Sequence, residues 1–154
     1  MEEPMKHYVS CGLLVRSGRV FLVHRSTSKA KYPNVWDLPG GHIEEFENSR
    51  QAIVRELREE LNVEIVEPNT EDLLATRQEE NLFLEIWRVS EWDGEIINAA
   101  PDEHDDFGWF TLDEASSLDL ASDDYQALFK QVLDFLPRRR FPIGCDDEGK
   151  RCCV

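Results

Sequence analysis

The sequence predicts a mixed α/β layer fold, strands interleaved with one central and one late helix. Three observations carry that reading. Short apolar runs bounded by turn residues recur at 8–16, 20–25, 72–90 and 106–112, as buried strands do. A helical apolar period occupies 49–61, and a second comes late, in DDYQALFKQVLDFL. The third is length: 154 residues make one domain, able to bury roughly two-thirds of the surface its unfolded chain exposes.

In chain order, YVSCGLLVR (8–16) and VFLVHR (20–25), split by Ser17-Gly18-Arg19, read as a hairpin of two largely buried strands. STSKAKYPN is a polar loop in which Pro33 and Asn34 oppose any regular element. WDLPGG holds one proline and two glycines, which force a turn where backbone can approach a ligand closely. Asn48 with Gln51 three residues on is a capping-box pair, so a helix opens near Ser49 and runs to Leu61. VEIV (63–66) is a short strand, two more fall within 72–90, and the Asp-Gly of WDGE marks a turn. DFGWFTL (106–112) is the last strand, after which Ser122 caps a helix that Pro137 ends. RRRFPIGCDDEGKRCCV has no apolar period, so a single domain over 1–137 and a flexible tail over 138–154 are expected.

Composition narrows the function classes. A hydrophobic fraction of 41% with four Trp and eight Phe supports a packed core rather than disorder. No apolar run approaches the ~20 residues of a membrane helix, and MEEPMKHYVS has no apolar signal core. A cytoplasmic protein without membrane partners is the expectation. Cys11, Cys145, Cys152 and Cys153 show no CxxC spacing, which argues against a zinc site or disulfide framework; a CaaX box would need Cys where Arg151 stands. The formal charge is -15, and residues 1–40 carry six Lys or Arg against three acids, so the negative surplus lies in the rest. Such a surface repels a nucleic-acid duplex. An anionic substrate could still bind in the company of metal ions.

Residues 40–63, GGHIEEFENSRQAIVRELREELNV, hold six glutamates. On a 100° wheel, Glu56, Glu59 and Glu60 share one face with Ser49 and Ala52, while Ile53, Val54, Leu57 and Leu61 form the apolar stripe. Like charges one turn apart cost a helix about 0.2 to 0.5 kcal/mol per pair unless cations neutralise them. Taken alone, an acidic stripe is most often merely solvated. Mg²⁺, however, takes oxygen ligands from a few carboxylates plus substrate phosphates, and these three side chains can supply the protein's share.

Gly41, Glu47, Arg55, Glu56, Leu57, Glu59, Glu60 and Val63 fit G-x5-E-x7-R-E-U-x-E-E-x-G-U, where U is aliphatic, in all but one place. In this the sequence resembles the Nudix hydrolases, and WDLPGG, the WDGE turn and Glu103 six residues before Trp109-Phe110 are similar to MutT-type members. The resemblance spans about 8–136. Asn62 stands where the family has glycine, a tolerable change because Asn accepts the left-handed conformation of a helix stop. Phe46 replaces the small residue common before the first box glutamate, which bears on the placement of Glu47.

The resemblance implies an α/β/α sandwich with a mixed sheet between helices. It implies metal-dependent hydrolysis of a diphosphate bond in a nucleoside diphosphate linked to another moiety, foremost a nucleoside triphosphate cleaved to monophosphate and pyrophosphate. Nucleotide-sugar or ADP-ribose hydrolysis, or nucleotide sensing without catalysis, are the alternatives. Mg²⁺, or Mn²⁺, would be held by Glu56, Glu59, Glu60 and the carbonyl of Gly41, with Glu47 and Arg55 pairing to orient them. Glu56 or Glu103 would be the general base, Glu103 being alternatively a metal ligand or a solvated loop acid. Arg25 matches a phosphate-contacting position, Lys29 and Lys31 could steer anions, and His104 is given no role. Trp36, Trp87 and Trp109 read as core or turn residues. The partner is a small nucleotide, and the chain a monomer or homodimer.

Overall fold

The computed structural model describes residues 6–29 and 33–135. Seven strands form one mixed sheet: β1 (His7–Arg16), β2 (Arg19–Arg25), β3 (Trp36–Asp37), β4 (Gly40–His42), β5 (Leu73–Gln78), β6 (Leu82–Val89) and β7 (His104–Phe110). The helices are α1 (Ser49–Leu61), α2 (Leu112–Ser116) and α3 (Tyr125–Phe135). The backbone order is β3-β2-β1-β6-β5, with β4 paired to β1 and β7 to β2.

β1 organises the molecule because it is apolar on both faces. Its C-terminal end pairs antiparallel with β2, its N-terminal half pairs antiparallel with β4, and its other edge runs parallel to β6 from His7↔Leu82 to Leu14↔Val89. Alternation sends Leu13 and Val15 to one core, shared with Tyr125, Phe129 and Leu133 of α3. Leu14 goes to a second core with Ile53, Leu57 and Leu61 of α1 and Trp87 of β6. The sheet is therefore covered on both faces, the α/β/α arrangement that the resemblance implied. Each fully buried Leu, Ile or Phe contributes roughly 1.5 to 3 kcal/mol of apolar transfer.

α1 is seated by polar contacts as well. Trp87 Nε1 donates to Ser49 Oγ at 2.9 Å, Ser49 Oγ donates to Ser10 Oγ at 3.0 Å, and Ser10 Oγ donates to the Ser49 carbonyl at 2.8 Å. Ser10, wholly buried, is thereby satisfied, and Trp87 belongs to the core as expected.

Several expectations need correction. WDLPGG is a turn bracketed by two short strands, β3 and β4, because Trp36 and Asp37 find partners on β2 and Gly40 to His42 find partners on β1. VEIV does not make a strand; Glu64 joins Asp93 in an isolated bridge. β7 begins two residues earlier than 106, and its expected last residues instead cap and open α2 at Thr111, a short helix absent from the sequence reading. Ser122 precedes α3, but the helix starts at Tyr125, with Ser122 Oγ accepting from the Asp124 amide. Lys31, Pro137 and the 138–154 tail lie outside the described residues.

Candidate active site

The acidic face of α1 meets the β3–β4 turn because two glycines let it. Gly40 has φ 151°, and a Cβ there would stand 2.2 Å from the Ser10 carbonyl oxygen. A Cβ on Gly41 would stand 2.6 Å from Glu56 Oε1, in the space that the carboxylate occupies. The first glycine of the motif is thus explained by contact with the helix it precedes.

Glu60 lies under this turn. It is 3% exposed, and its Oε2 accepts from the Gly40 amide at 3.1 Å. Burial, then the charges of Glu56 and Glu103, lift its carboxyl well above the ordinary range, against the Gly40 hydrogen bond. Burial also raises Glu56, opposed by Arg55 and reinforced by Glu59. The expected open acidic face is therefore graded: Glu59 stands at the exposed rim with its side chain 56% accessible, Glu56 at 12%, and Glu60 at the floor.

Arg55 locks this wall together. Its Nε donates to both Glu47 oxygens at 3.2 and 3.1 Å, and its Nη2 reaches Glu47 Oε1 at 2.7 Å and the His42 carbonyl at 3.0 Å. Its Nη1 reaches Glu56 Oε1 at 2.9 Å and Glu59 Oε2 at 3.1 Å. The hydrogen bonds from Arg55 hold the Glu47 carboxyl below the ordinary range, and the same contacts raise Arg55. Phe46 takes φ 67° and is 96% exposed, so the loop accommodates it by turning it outward and Glu47 still meets Arg55.

Arg25 ends β2 opposite His104 on β7, with Nη1 3.9 Å from Asp37 Oδ2. Asp37 also accepts from Tyr125 Oη at 2.8 Å, and burial raises its pKa. Glu103 is exposed at the head of β7, while the adjacent His104 is only 5% exposed. Burial lowers the His104 pKa to about 4, so its imidazole is neutral at physiological pH. One ligand atom from each of Glu60, Glu103 and His104 lies within 4.8 Å of the others.

Sequence reasoning passed over His104 and the burial of Glu60. Starting the last strand at 106 left His104 in a loop, where no alternation could assign it a face. The available signal was the helical wheel, on which Glu60 at +40° borders the apolar stripe. The fit to a divalent cation rests on the donor set, hard carboxylates with one imidazole, and on the burial of Glu60 beside Glu56.

The chain is similar to known proteins. The NUDIX domain family matches residues 5–131. The CTP pyrophosphohydrolase of Escherichia coli (strain K12) is 31% identical over 124 residues, 78% of this chain and 87% of that protein. The 8-oxo-dGTP diphosphatase of Proteus vulgaris is 28% identical over 98 residues, 62% of this chain and 87% of that protein. Among solved structures, a MutT NUDIX hydrolase from Burkholderia pseudomallei superposes with TM-score 0.68 at 26% identity, covering 83% of this chain and 98% of that one. On these grounds the chain belongs to the NUDIX family, is of MutT type, and is a pyrophosphohydrolase acting on nucleotides.

Proposed function

We propose that the enzyme hydrolyses a nucleoside triphosphate to the monophosphate and pyrophosphate in a reaction that depends on Mg²⁺ or Mn²⁺. The observation that carries this reading is the Glu56 carboxylate lying where a Gly41 Cβ would be, beside buried Glu60. Two acids so placed suit a site that receives a cation and then a polyanion. The relatives named for CTP and for 8-oxo-dGTP support a triphosphate as substrate.

In this reading Glu56, Glu59, Glu60 and the Gly41 carbonyl hold the divalent ion. When bound, it offsets phosphate charge and makes a coordinated water more acidic. Arg55 and Glu47 touch no substrate; their paired hydrogen bonds fix the carboxylates in place before substrate arrives. Arg25 contacts phosphate oxygens from the far side, where its tether to Asp37 limits its rotamers. Water attacks phosphorus in line with the departing oxygen, and Glu56 or Glu103 takes its proton. Residues 1–137 are the catalytic unit.

A panel of nucleoside triphosphates, nucleotide sugars and dinucleotides, assayed with and without Mg²⁺, tests the reading. Turnover of triphosphates only with the ion is the expected result, and Glu59→Gln should lower kcat by about tenfold or more. Preference for a nucleotide sugar would transfer the assignment to that substrate. Tight nucleotide binding with no turnover would make the protein a sensor, and unchanged turnover in Glu59→Gln would contradict the ligand assignment.

A further inference from the structure

His104 is a buried imidazole without a task. Its Nδ1 is sealed from solvent and has no hydrogen-bond partner. Leaving such a group unpaired costs about 1 to 3 kcal/mol, so native structures seldom tolerate it without some compensating contact. The groups at hand are acids. A ring nitrogen of His104 and an oxygen from each of Glu60 and Glu103 lie within 4.8 Å of one another, yet neither carboxylate is hydrogen-bonded to Nδ1. Ligand atoms around one small divalent ion stand roughly 3 to 3.5 Å apart, given ion–ligand distances near 2.0 to 2.2 Å. The 4.8 Å limit is wider than that spacing, so an ion bound here would draw the three side chains together.

The backbone holds the three residues to this spacing. The Ala99 amide donates to the Glu60 carbonyl at 2.8 Å, docking the loop on the end of α1. The Ser26 amide donates to the Glu103 carbonyl at 2.9 Å, docking its other end on the chain after β2. Asn98 Nδ2 donates to the His104 carbonyl at 2.7 Å, closing the loop on itself. The ring is therefore presented from the first residue of β7, behind a braced loop. Its charged surroundings are the acids Glu60, Glu103 and Asp105 and the cations Arg25 and Lys29, a balance that leaves room for added positive charge.

We propose that Glu60, Glu103 and the imidazole of His104 form a mixed nitrogen–oxygen site for a divalent transition ion such as Mn²⁺, sharing Glu60 with the glutamates of α1. This rests on the reading that Glu60 faces a cation. Carboxylates suit Mg²⁺ and Mn²⁺ alike, whereas an imidazole ligand adds affinity chiefly for the later first-row ions, and more for Mn²⁺ than for Mg²⁺.

The test is pulsed electron paramagnetic resonance of the full chain loaded with Mn²⁺, which registers a coordinated imidazole nitrogen without turnover. Wild type should show ¹⁴N modulation that changes to ¹⁵N on labelling with [¹⁵N]histidine. His104→Gln should retain Mn²⁺ through the glutamates, lose the modulation, and bind Mn²⁺ about tenfold more weakly, with a smaller change for Mg²⁺. Should His104→Gln fail to fold, the triple variant His7→Gln, His24→Gln, His42→Gln leaves His104 the sole histidine of four and should keep the signal. Bound Mn²⁺ with no histidine nitrogen, or a signal that survives in His104→Gln, overturns this site and leaves the glutamate site standing. A wild type that binds no Mn²⁺ and no Mg²⁺ sinks both.

Discussion

Gly41 shows how much of the site turns on one carbon atom. In Gly41→Ala the new methyl would sit 2.6 Å from Glu56 Oε1, and the tip of a side chain gives way before a strand does. We expect kcat to fall about 10- to 100-fold with little change in melting temperature, read by steady-state assay beside calorimetry. Glu60 makes a separate prediction. Because its folded pKa is raised, the folded chain holds the proton more tightly than the unfolded chain. That stabilisation is full below the ordinary glutamate value of 4.5 and is lost as pH climbs through the raised one. In chelator-treated protein, denaturation midpoints should decline with pH more steeply in wild type than in Glu60→Gln; parallel profiles would refute the burial argument. Glu47, Arg55, Glu56, Glu59 and Glu60 were legible because helical periodicity and a motif fix their spacing. The depth of Glu60 was not, since it depends on a turn from another part of the chain resting on the helix.

Among the elements, α1 was readable to its ends. Asn48 and Gln51 exchange both capping hydrogen bonds, and Asn62 stops the helix in the left-handed conformation with φ 60°. Asn62→Ala should therefore lose about 1 kcal/mol in urea unfolding while Asn62→Gly stays near wild type, since alanine meets the Cβ penalty without the local side-chain hydrogen bonding that lets asparagine tolerate it, and glycine has no Cβ. Equal losses in both would mean that the Asn side chain matters and the backbone angle does not. β3, β4 and the bridge at Glu64 were less legible for a common reason. Strands of two or three residues carry no period of their own, and they exist because longer neighbours offer hydrogen-bond partners. The first turn of α2 is similar: Thr111 and Glu114 cap each other, a local signal hidden within an apolar run read as strand.

For the molecule as a whole, the family match ends at residue 131, inside α3. A chain cut after Pro137 should keep the turnover and melting temperature of the full protein, and a marked loss of either would give the tail a structural role. The acidic balance of -15 was readable, but not the burial of Glu60 beside one turn, which is a property of the folded arrangement. Among helices of the described residues, none is long and apolar enough to cross a membrane. The parallel ladder between β1 and β6 has a bearing on synthesis. During synthesis β1 takes its main partner only when Val89 has emerged, and until then one of its edges stays open to other chains. Slow translation before that point should therefore favour aggregation of the nascent chain, and fast delivery of β6 should prevent it.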